Sequence, residues 1–94
     1  MGQRMIERRL RETGARLRQL RSELSVVDEQ LQALAEDTEE KGLRAMVSET
    51  PGADVEYREA RLHSEAMSRH RQSVIDTIKE LEERQDALLD QMQR

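Results

Sequence analysis

The chain has no cysteine, no phenylalanine and no tryptophan, and Tyr57 is its one aromatic residue. Without thiols there is no disulfide framework, no thiolate zinc site and no cysteine nucleophile. With a single aromatic, and with apolar residues at 35% and charged residues at 38% of 94, too little material remains for a broad globular core. One proline and four glycines encode few turns. No apolar run reaches the length of a membrane span, and the opening MGQRMIERRLRE is charged throughout, with no secretory apolar region. The expectation is a single cytoplasmic domain without membrane contact. Such a composition fits either a disordered chain or long helices that bury only a narrow seam.

Periodicity separates the two. Ile6, Leu10, Thr13, Leu17, Leu20, Leu24, Val27, Leu31 and Leu34 alternate spacings of four and three, and only Thr13 is polar. Tyr57, Ala60, Ser64, Met67, Arg71, Val74, Ile78, Leu81, Gln85, Leu88 and Met92 repeat the alternation with three polar interruptions. A heptad seam held over four repeats marks a coiled-coil helix. Between the halves the apolar pattern fails at Thr38 and Lys41. Gly42 suits a helix C-terminus, with LRAMVSE as a short helical segment, and Thr50 and Pro51 suit the cap and first turn of the next helix. The spacing therefore predicts an all-α fold: helix one over about 4–41, with a continuation to about 48 as the alternative, a turn region over 42–53, and helix two over about 51–93. Residues 1–94 would form one antiparallel two-helix coiled-coil hairpin.

Charge supports the hairpin. Residues 1–21 carry seven arginines and two glutamates, residues 22–59 carry eleven acids and three bases, and residues 72–94 carry six acids and three bases. Folding at the middle sets the basic start against the acidic end. The N-terminal arginines are expected to pair with Asp76, Glu80, Glu83, Asp86 and Asp90 in preference to nucleic acid, which a net charge of -4 also disfavours. His63 and His70, seven apart, lack a third strong ligand, so no metal site is expected. With no phosphate loop and no nucleophile beside a base, the chain does not look like an enzyme.

Arg71 interrupts the second seam opposite Val27, with Asp28 or Glu29 positioned to take its guanidinium. Its neighbourhood, MSRHRQ, resembles the RsiG-like anti-sigma factors of actinomycetes (actinobacteria), a family of antiparallel coiled-coil hairpins. That family carries one copy per helix of Glu-x3-Ser-x2-Arg-x3-Gln-x3-Asp, binds cyclic di-GMP, and sequesters a sporulation sigma factor. Here Ser68 and Arg71 match the second copy and Ser25 and Gln32 match the first. The positions of the two glutamates are held by Arg21 and Ser64, and that of the first arginine by Asp28. The resemblance implies transcription regulation through a sigma factor, with cyclic di-GMP as a ligand at Ser25, Gln32, Ser68 and Arg71.

Apolar residues off the seam point to protein–protein interaction. Leu43, Met46, Val47 and Leu62 gather near the turn, Val26 and Ile75 flank the middle, and Leu89 lies near the open end. A hairpin this narrow buries little area, so apolar flanks imply a partner. The sequence thus predicts a non-enzymatic regulatory interaction module, an anti-sigma or transcription-regulating adaptor. The alternatives are a homodimer, in which two hairpins form a four-helix bundle through Val26, Ile75 and Leu89, and a coiled coil that binds RNA polymerase.

Overall fold

The computed structural model describes residues 2–93. It consists of two helices, α1 (Gln3–Ser48) and α2 (Pro51–Gln93), joined by Glu49 and Thr50 into an antiparallel hairpin. The seam follows the heptads: Ile6, Leu17, Leu20, Val27, Ala60, Val74 and Leu88 are buried, and so is Thr13. Leu10, Leu24, Leu31, Leu34, Met67, Ile78 and Leu81 are half-buried.

The turn is shorter than the expected 42–53. Helix α1 does not end near 41 but continues through Gly42 to Ser48. The seam continues with it in polar and small residues: Thr38 and Lys41 are half-buried and Ala45 is buried. Thr38 is accommodated because its hydroxyl donates to the Leu34 carbonyl 2.7 Å away within the helix. Gly42 is a contact position and not a stop. A Cβ built there would lie 3.0 Å from Cε1 of Tyr57, so the ring occupies the space that any side chain would need.

The left-handed residue that ends α1 is Glu49, at φ 51°. Its amide donates to the Ala45 carbonyl at 3.2 Å, the single bond of the αL helix end. Thr50 then caps α2, accepting the Ala53 amide on Oγ1 at 3.3 Å, while its carbonyl accepts the Asp54 amide at 3.2 Å. Pro51 occupies the first helical position, where its missing N–H costs nothing.

Contacts gather into two units. The first joins the residues up to 24 with those from 73 on, and the second spans residues 25–72. The first unit is the leucine-rich one, closed by Ile6, Leu17, Leu20, Val74 and Leu88. The second closes on smaller side chains, Val27, Ala45, Ala53 and Ala60, with Leu31, Leu34 and Met67 only half-buried. At ~25 cal/mol per Å² of apolar area, alanine layers contribute far less than leucine layers. The second unit therefore holds its helices together with less burial of its own.

Candidate partner groove in the 25–72 unit

A shallow open groove runs along one side of the 25–72 unit, beside the seam. Its α1 wall presents Ala35, Glu39, Gly42, Leu43 and Met46, which share one face of the helix. Its α2 wall presents Tyr57, Arg61, Ser64, Glu65 and Ser68, likewise on one face. Tyr57 closes over Gly42, and the Arg61 guanidinium lies 5.8 Å from the centre of the ring. That places a cation on the ring's negative face. Arg61 Nε also reaches Glu65 Oε1 at 3.9 Å.

The groove is apolar at its turn end and polar at its inner end. Leu43 and Met46 are 58% and 73% exposed, so neither is needed to close the hairpin. Val47 and Leu62 project outward from the same unit at 84% and 55%. Ion pairs within α1, Lys41 to Asp37 at 3.1 Å and Arg44 to Glu40 at 2.9 Å, lie beside these residues. The unit carries eleven acids and six bases, a net of -5. The surface is thus a set of exposed aliphatic side chains in an acidic field.

The four residues of the motif resemblance share this unit. Ser68 lines the groove. Gln32 and Ser25 are exposed and continue, at seven-residue steps, the α1 stripe that holds Glu39 and Met46. Arg71 lies one turn beyond Ser68, and its Nε donates to Asp28 Oδ1 at 2.5 Å. The seam arginine thus takes the carboxylate anticipated from the sequence, with its side chain 41% exposed and that of Asp28 50% exposed. Asp28 holds the position of the first-copy arginine, so the two sites of the repeat pair with each other.

The remaining candidates are dispersed. Val26 is 51% exposed in the 25–72 unit. Ile75, half-buried, and Leu89, 42% exposed, belong to the other unit. Among the described residues no three His, Asp or Glu side chains come together as a metal site, and no helix is long and apolar enough to cross a membrane.

The expected pairing of the N-terminal arginines differs most from the structure. Arg21 reaches Glu82 at 3.6 Å, a carboxylate outside the anticipated set. Arg8 and Arg16 donate instead to Met5 Sδ and Gln19 Oε1, both on α1. Among the described residues no carboxylate partner is found for Arg4, Arg9, Arg11 or Arg18. The reason is position: Arg4, Arg11 and Arg18 occupy the outer flank of α1, away from the seam that α2 covers, whereas Arg9 lines a cleft beside the seam whose α2 side is Arg84 and Leu88, with no carboxylate.

The sequence did not single out Gly42, Ala35, Tyr57 or Arg61 as groove residues. The available signal was the lone aromatic, Tyr57, at a seam position in register with a glycine. No protein-family model, no curated protein and no solved structure matches this chain.

Proposed function

We propose that this chain is a non-enzymatic protein-interaction module whose 25–72 unit docks a helix of another protein. The observation that supports it is the exposure of Leu43 and Met46 on one wall of a groove whose other wall is Tyr57 and Arg61. Exposed aliphatic residues at helical spacing beside an open groove suit an amphipathic helix that reads i, i+3 and i+4 anchors. The acidic surroundings favour a basic polar face on that helix.

The resemblance to RsiG-like hairpins supplies the finer reading, in which the partner is a sigma factor and the module an anti-sigma adaptor. Cyclic di-GMP is not required in this reading. The pairing of Arg71 with Asp28 occupies the guanidinium that the motif would offer to a phosphate or a guanine edge.

The test is affinity capture from native cell extract, with and without added cyclic di-GMP, comparing the wild type with Leu43→Asp/Met46→Asp. A partner held by the wild type and lost from the double variant, with helicity intact, is the expected result. Equal capture by both proteins would remove the groove from the account. Capture that depends on added cyclic di-GMP would restore the ligand to it.

A further inference from the structure

The outer face of α1 changes sign along its length. Arg4, Arg11 and Arg18 recur at seven-residue steps, and the same stripe continues through Ser25 to Glu39 and Met46. Every one of these six is exposed. The neighbouring stripe repeats the pattern, with Arg8 near the start and Glu29 and Glu36 further along. From residue 3 to residue 24 the helix carries seven arginines and three glutamates. Its acidic stretch comes after that point, and Arg4, Arg11 and Arg18 have no carboxylate partner among the described residues.

We propose that this face pairs with the same face of a second copy, antiparallel, in a register centred on Ser25. In that register Arg11 of one copy falls opposite Glu39 of the other. Arg18 falls between Glu29 and Glu36 of the second copy. The stem of Arg8 covers Leu43, and that of Arg4 covers Met46. Because the arrangement is two-fold symmetric, each contact occurs twice. A parallel arrangement would set arginine against arginine before Ser25 and glutamate against glutamate after it, so the charge pattern selects the orientation.

Ser22, Ser25 and Ala15 at and near the centre are small enough to let two helices approach closely. The covered face includes Glu39 and Met46, which also line the groove. Self-pairing therefore competes with a foreign helix for the same surface. The inference does not rest on there being such a partner, since sedimentation of the purified chain tests it alone.

Sedimentation equilibrium at micromolar concentration, in low and in high salt, reads the association directly. The expected result is a dimer at low salt that dissociates as salt screens the paired charges. Arg11→Glu and Glu39→Arg should each weaken the dimer by ~10-fold or more, because each converts two attractive pairs into repulsive ones. The combined Arg11→Glu/Glu39→Arg swap should restore it. Both positions of substitution lie off the seam, and circular dichroism should show each variant as helical as the wild type.

The chain lacks cysteine, so Ser25→Cys supplies a second readout. Mild oxidation should link two copies through position 25 and fail to link them through Ser48→Cys. A monomer at all salt concentrations overturns the proposal. So does a dimer indifferent to charge reversal, or one that cross-links through 48 and not through 25.

Discussion

Replacing Arg71 with leucine should stabilise the hairpin. The Arg71–Asp28 pair is short, but its side chains are 41% and 50% exposed. Ion pairs that open to solvent are worth ~0.2–1 kcal/mol, because water already solvates both charges well. Asp28, left alone, would remain in water and pay little desolvation. A leucine at position 71, with exposure similar to that of the arginine, would bury a little over half of its side chain beside Val27. Full burial of a leucine is worth ~1.5–3 kcal/mol, so the gain is ~1–1.5 kcal/mol. The balance favours leucine by ~0–1.3 kcal/mol, which for a chain of this size raises the melting temperature by up to about 10 °C. Urea denaturation followed by circular dichroism at 222 nm measures the difference directly. A loss of stability of ~1 kcal/mol or more would refute the reasoning. It would mean that the pair contributes far more than its exposure allows, and that the arginine holds the helices in register by strength as well as by geometry.

Two further substitutions test the turn and the groove. Glu49→Gly should stabilise the chain by ~0.5–1 kcal/mol, because φ 51° strains any residue with a Cβ and glycine adopts it freely; no gain in the urea midpoint would contradict the assigned helix end. Gly42→Ala should be near neutral in the wild type, where ~1 kcal/mol of helix propensity is offset by displacing the Tyr57 ring from its 3.0 Å approach. In a Tyr57→Ala background the same change should stabilise by the full ~1 kcal/mol, and an additive double-mutant cycle would deny the contact.

The seam was legible because its spacing is redundant. Ile6 through Leu34 and Tyr57 through Met92 repeat one alternation so many times that Thr13, Ser64, Arg71 and Gln85 could not obscure it. The antiparallel pairing was legible as well, since it brings together Arg71 and Asp28, 43 positions apart. The seven residues of α1 beyond Lys41 were only partly legible. Thr38, Lys41 and Ala45 keep the spacing, but threonine and lysine at seam positions read as the end of the pattern, and Gly42 has two opposite uses. A glycine can close a helix through a left-handed residue, or it can let a ring pack on the helix backbone. Only the neighbouring Tyr57 distinguishes them, and it lies across the turn. The true left-handed residue, Glu49, carries no composition signal. The groove was partly legible: Leu43 and Met46 stood out as apolar residues without a seam position, whereas Ala35, Gly42 and Arg61 acquire their role only when α2 is alongside. The arginines of residues 4–18 were assigned partners on α2 from net charge alone, which says how many charges face one another but not which flank of a helix holds them.

Tyr57 is the chain's sole intrinsic fluorophore and it lines the groove. Ultraviolet emission from the unlabelled protein therefore reports on that wall and on nothing else. A helix or a second copy settling against Leu43 and Met46 would change the polarity around the phenol and the anisotropy of its emission. Partners free of both tryptophan and tyrosine could be titrated without dyes, tags or added side chains.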